Sequence, residues 1–149
     1  MKKIFISIML LTLVVVCLSG CGNSTKLNDT LDITEGAFLT QITDINNNSA
    51  SYIGKIIKIE GMFEADDHDG HHSHYYVYRN AAVYDKDHRH EHINKIGLEF
   101  SYNGNMPKDN DWISVVGILR NSTENGHTSI TLEASSVTVL SERGTETIK

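Results

Sequence analysis

Apolar residues along this chain follow two different periods, and the switch between them falls near residue 50. Before it, Phe38, Leu39, Ile42 and Ile45 recur at the spacing of one helical face, which predicts a helix over residues 35–45. Asp32 stands where a capping residue would, with Glu35 three positions on, the spacing of a capping box. Gly36 weakens the first turn, and Asn46-Asn47-Asn48-Ser49 ends the helix. After that the side chains alternate. In Lys55–Phe63, Ile57, Ile59 and Phe63 point one way and Lys58 and Glu60 the other, with Gly61 marking a bulge or bend. Tyr75–Arg79 predicts a short aromatic strand and Ile96–Tyr102 a third. Trp112–Arg120 is apolar in both phases and so reads as buried, with Gly117 at another bend. Ser129–Leu140 carries Ile130, Leu132 and Ala134 in one phase, then Val137 and Val139 after a slip. Asn125-Gly126 between these last two segments is the strongest hairpin signal in the chain.

Five strands, glycines where sheets bend and one helix outside the sheet predict a mainly β fold. The expectation is a five-stranded OB-fold-like barrel whose N-terminal helix plugs one open end. A seven-stranded sandwich is the competitor, but only five strands can be read. Alternating strand directions would put the loop after the second strand (80–95) and the loop after the fourth (121–128) at the same end. The loop after the first (64–74) would lie at the other, about 17 Å away if the second strand has five residues at about 3.3 Å each.

The N-terminus reads as an address. Lys2 and Lys3 precede an apolar run from Ile4 to Leu18, too short for a comfortable membrane span and followed at once by small polar residues. Leu18-Ser19-Gly20-Cys21 resembles the lipobox of bacterial lipoproteins, in which the chain is cut before the cysteine and the sulfur receives a diacylglyceryl group. Residues 1–20 are then a signal peptide and 21–33 a lipidated Cys21 with a polar tether. Residues 34–141 are the helix and barrel, and 142–149 a tail. Two or more acyl chains anchor stably where one would not, so the protein is expected on the outer face of a bacterial cell membrane. Cys17 leaves with the signal and Cys21 is consumed by lipid, so no thiol remains for a disulfide, a thiolate metal site or a nucleophile.

Charge narrows the partners. Cleavage removes Lys2 and Lys3 and no acid, taking the formal charge from −6 to −8. An acidic tethered domain without a basic stripe is a poor nucleic-acid binder and an attractor of cations.

Candidate chemistry lies in the histidines. Seven of the eight fall between His68 and His92, in Asp66-Asp67-His68-Asp69-Gly70-His71-His72-Ser73-His74 and Asp85-Lys86-Asp87-His88-Arg89-His90-Glu91-His92. Imidazole and carboxylate hold divalent transition metals, and an unperturbed histidine, pKa about 6.5, is mostly neutral and able to ligate at pH 7. His88, His90 and His92 alternate, so extended backbone would turn all three to one side, and His127 in the loop after the fourth strand could join them. His68, His71, His72 and His74 form a looser set, with Asp67 and Asp69 as oxygen donors or outer partners. The expected ion is zinc, with nickel or copper(II) as alternatives. Protonation would compete with it and release it in acid. No His-Glu-x-x-His pattern, Gly-x-Ser-x-Gly elbow or phosphate loop is present, so an enzyme is not expected.

Tyr52-Ile53-Gly54-Lys55, Ile59-Glu60-Gly61-Met62-Phe63, Tyr75-Tyr76-Val77-Tyr78-Arg79, Gly97-Leu98-Glu99-Phe100, Pro107-Lys108-Asp109-Asn110-Asp111-Trp112 and Arg143-Gly144 together resemble a group of small OB-fold bacterial envelope domains and lipoproteins. Some relatives in that group accompany permeases associated with metal supply, and the resemblance covers roughly residues 52–144. It implies a metal transporter as partner. Relatives often carry adjacent cysteines between the Tyr-Arg and Gly-Leu-Glu-Phe strands. Here that place holds Asn80-Ala81-Ala82-Val83 and the second His/Asp tract, and exchanging thiolate for imidazole would shift preference from Cu(I) toward Zn(II), Ni(II) or Cu(II). The alternative is a binding module that engages an envelope protein or glycan through Tyr76 and Tyr78, which share a strand face, with the histidines incidental.

Overall fold

The computed structural model describes residues 30–66, 74–85, 90–124 and 126–149, with backbone alone at 84, 85, 90 and 91. The signal, Cys21, the tether as far as Asp29, and the expected ligands Asp67, His68, Asp69, His71, His72 and His88 lie outside these residues. Among the described residues no helix is long and apolar enough to cross a membrane.

Alternation becomes strand wherever the sequence analysis places it, but the strands run longer. They are β1 (Leu31–Asp32), β2 (Ile56–Asp66), β3 (His74–Asp85), β4 (His90–Ser101), β5 (Trp112–Glu124), β6 (His127–Val139) and β7 (Thr147–Ile148), with helix α1 (Phe38–Asn47) between β1 and β2. Antiparallel pairs join β2 to β3, β3 to β4, β5 to β6 and β2 to β5. The parallel pair Phe100–Leu132 and Ser101–Glu133 joins β4 to β6 and closes a five-stranded barrel of OB-fold type. Closure needs β2 to serve two neighbours. Ile56–Met62 pair with β5 and Met62–Asp66 with β3. The strand turns at Gly61, where a Cβ would lie 2.5 Å from the Tyr78 carbonyl oxygen, so only glycine permits the approach.

The phase slip read in the last strand is a β-bulge. Val116 pairs with Ser136 but Gly117 with Ala134, leaving Ser135 extra, its hydroxyl donating to the Val116 carbonyl at 3.1 Å. The bulge rotates the strand by one position and returns Val137 to the core side.

Inward positions fill the barrel. Ile57, Ile59 and Phe63 of β2, Val77 of β3, Leu98 and Phe100 of β4, Ile113, Val115 and Leu119 of β5 and Leu132 of β6 are all buried. Phe63, Tyr75 and Phe100 cluster with ring centroids about 6 Å apart, Phe63 stacked on Tyr75 and Phe100 tilted against both. Phe38, Ile42 and Ile45 present one helical stripe to the same core and are fully buried, whereas Leu39 is exposed.

Asp32 does not cap the helix. It belongs to β1, which pairs parallel with β2, and its carboxylate lies 3.6 Å from the Lys58 ammonium. Glu35 opens a single 3₁₀ turn, Glu35–Ala37, and accepts instead from Thr145. A tertiary partner 110 residues away wins over the local capping geometry.

Candidate metal-binding face

Outward positions of β3 and β4 build the face on which the chemistry converges. Inward Tyr75 and Val77 alternate with outward His74, Tyr76 and Tyr78, and inward Leu98 and Phe100 flank outward Glu99. Tyr78 is buried against Met62 and Trp112 in a small second core with Tyr76 at its edge. Gly97, opposite Tyr78, brings the two strands so close that a Cβ would meet the Val77 carbonyl oxygen at 2.0 Å. A cleft of about 280 Å³ opens there, lined by Glu64, Tyr76, Tyr78, Lys95, Gly97 and Glu99.

Its electrostatics are acidic. Burial raises the Tyr76 phenol above its ordinary value, and Glu99, Asp66 and Glu64 push it further the same way. The Lys95 ammonium donates to Glu64, which raises the lysine, and it also lies 5.0 Å from the centre of the Tyr78 ring.

His74 stands at the upper edge of this face, opposite Asp66 on β2. Its Nδ1 lies 2.9 Å from Glu99 Oε1 and its Nε2 3.9 Å from Glu124 Oε2. Glu124 ends β5 and is the last partner of the β5–β6 hairpin, directly opposite His127. Gly126, between them, takes φ +82°, as a primed hairpin turn demands.

This contact brings the His127 hairpin to the start of β3, where the first tract ends. His127 was expected beside His88, His90 and His92; β4 and β6 do run parallel, and His88 and the side chain of His90 lie outside the described residues. His92 lies far along the β3–β4 ribbon, opposite Val83, and residue 90 is opposite Asp85. The expected loop at 80–95 is mostly strand, so eleven residue steps of β3, about 36 Å at about 3.3 Å each, separate His74 from Asp85, in place of about 17 Å. The physical reason is barrel stagger: closing five tilted strands shifts each along its neighbour, so strand polarity alone does not set which hairpins meet.

Of the described histidines, His74 is half-buried and His92 and His127 are exposed. Among the described residues no three His, Cys, Asp or Glu side chains already surround one point. Glu99 and Glu124 are the site residues sequence reasoning missed. Glu99 carried a signal, since it alternates outward between Leu98 and Phe100; Glu124 carried none, because its approach to His74 depends on the stagger. No protein-family model matches the chain, and a search of curated proteins finds no match to its sequence.

Proposed function

We propose that this protein is a membrane-anchored, extracytoplasmic lipoprotein, held by Cys21, that captures a divalent transition metal, foremost zinc, through its His/Asp tracts and serves metal acquisition or buffering alongside a transporter. The reading rests on one observation: among the described residues the barrel closes and fills with no histidine in its core. The described histidines, half-buried His74 and exposed His92 and His127, therefore contribute nothing to core packing that would account for them. They stand on strands of a closed scaffold, and a side chain the core does not use is left with its ligand chemistry. The resemblance to envelope lipoproteins accompanying metal-related permeases points the same way.

Elemental analysis of the natively expressed chain tests this, with melting curves against added zinc, nickel and copper(II). An ion bound only by the folded state at a hundred times its Kd adds about 2.7 kcal/mol, a rise in Tm on the order of 10 °C. A chain that carries no first-row metal and whose melting ignores all three ions refutes the proposal.

A second reading has its own observation, the cleft beside Tyr76 and Tyr78 on the face where OB-folds hold sugars and bases. It makes the protein a binding module for an envelope glycan or protein. Loss of partner binding on Tyr76→Ala, with no metal response in the unaltered chain, would favour it.

A further inference from the structure

We infer that the barrel itself carries a zinc-class site at the tip of the β5–β6 hairpin, with His74, Glu124 and His127 as ligands and Glu99 as the group that orients His74. The inference rests on the metal-capture reading and gives it an address. Both ring nitrogens of His74 face carboxylates, but unequally. Nδ1 to Glu99 at 2.9 Å is a hydrogen bond, and Nε2 to Glu124 at 3.9 Å is too long for one. An Nδ1–H donated to Glu99 leaves Nε2 as the lone-pair nitrogen, the arrangement by which an outer carboxylate fixes the tautomer of a ligating histidine.

The longer gap has the size an ion needs. Two ligands at about 2.0–2.1 Å from a tetrahedral ion stand about 3.3 Å apart, so closing 3.9 Å takes a small rotation of the exposed Glu124 side chain. His127 supplies the third donor, because directly opposed residues of an antiparallel pair have Cβ atoms about 5 Å apart on one side of the ribbon. Two imidazoles and one carboxylate, with water completing four-coordination, form a set that zinc accepts and that suits nickel or copper(II) better than calcium or magnesium. Asp66, opposite His74, adds negative charge nearby. The bland counterpart is a protonated His74 held as an ion pair between two glutamates.

Zinc titration of the full chain in detergent micelles, in competition with a chromophoric chelator, separates these. His74→Ala, Glu124→Gln and His127→Ala should each weaken the tightest zinc event at least about tenfold, and Glu99→Ala by about 10–100-fold. Zinc should also shift the ring resonances of His74 and His127 together. Glu124 and His127 are exposed at a hairpin tip, so their variants should keep the apo melting temperature and report ligation alone. Tight zinc binding that survives all four substitutions overturns this site while metal capture by the tracts stands. An unaltered chain that binds no zinc ends both.

Discussion

Arg79 is the charged side chain most deeply committed to this barrel, and Arg79→Met should destabilise it by about 2–4 kcal/mol. It occupies an inward position of β3 and is almost fully buried, with its guanidinium between Phe38 (4.7 Å) and Trp112 (4.9 Å). Nε donates to the Glu60 carbonyl at 3.0 Å, Nη1 donates to the Thr145 carbonyl at 3.3 Å, and Glu35 lies 3.6 Å away. Burial lowers its pKa, and Glu35 and Glu60 act against that. Methionine keeps most of the volume and removes charge and donors. The lost cation–π contacts, about 0.5–2 kcal/mol each, are offset by relief of the guanidinium's desolvation, and Glu35, about half exposed, rehydrates. What remains is two carbonyls left without their donor, at about 1–2 kcal/mol each. That is a fall in Tm of about 8–16 °C. Arg79→Lys should fall between, since one ammonium cannot reach both carbonyls as the planar fork does. The tail should loosen with it: the Asn80 amide, which donates to the Glu146 carbonyl at 2.8 Å, should exchange its hydrogen faster in the Met variant. A Met variant as stable as the parent, with Asn80 still protected, would mean desolvation outweighs every contact, and the reasoning would fail.

Two glycines should respond in opposite degrees. Gly97→Ala drives a methyl into the β3 backbone, 2.0 Å from the Val77 carbonyl, and should prevent the chain from being recovered folded. Gly126→Ala meets nothing within 4 Å and should cost only the left-handed conformation, about 1–2 kcal/mol; denaturant melts yielding similar losses would refute the distinction. In acid, Thr145 chiefly holds the Glu35 carboxyl below its ordinary 4.5, and the Tyr52 hydroxyl holds Asp44 below its ordinary 3.8. A lowered folded pKa stabilises fully above the unfolded value and is lost as pH falls through the folded one. Stability should therefore decline below about pH 4.5, and Glu35→Gln with Asp44→Asn should flatten that decline in melts taken from about pH 6 to about pH 3. Cys21→Ser should release the protein from the membrane fraction into the aqueous phase of a detergent partition, and continued partition with detergent would exclude the lipid anchor.

What was legible in the sequence is what the core imposes. Ile57, Ile59 and Phe63 alternate because one face of β2 is buried, and the slip between Ala134 and Val137 shows in the sequence because the bulge must return Val137 to that face. Phe38, Ile42 and Ile45 show the helix for the same reason. The β3–β4 ribbon beyond Ala81 was illegible because nothing among the described residues covers it: Val83 and Ile93 are both exposed, so neither face selects apolar residues and no period of two appears. There the ladder alone makes the strand. The Arg79–Glu35–Thr145 cluster and the Glu124–His74 approach were hidden for a different reason. Each joins residues far apart in sequence, the first by packing the C-terminal segment beside the Glu35 turn and the second through barrel stagger, and no local pattern encodes either.

The placement of the tether gives the proposed site a direction. Chain entering from Cys21 joins the barrel at β1, whose Leu31 and Asp32 pair with Ile57 and Lys58 near the start of β2. His74 is opposite Asp66, eight residues farther along β2 and so up to about 26 Å away. With Cys21 acylated, residues 22–30 extend at most about 30 Å. If Cys21 is the anchor, as proposed, the histidine–carboxylate edge would sit at the end remote from it, with a reach on the order of 50 Å from the bilayer surface. On the proposed function, such a site would exchange its ion with a protein partner standing clear of the lipid, rather than with headgroups. Fluorophores placed singly at Lys58 and at Gly126, in chain reconstituted on vesicles with headgroup-labelled quenching lipid, should be quenched unequally, Lys58 the more. Equal quenching would mean that the barrel lies down on the membrane, and the exchange would then have to occur at the lipid surface.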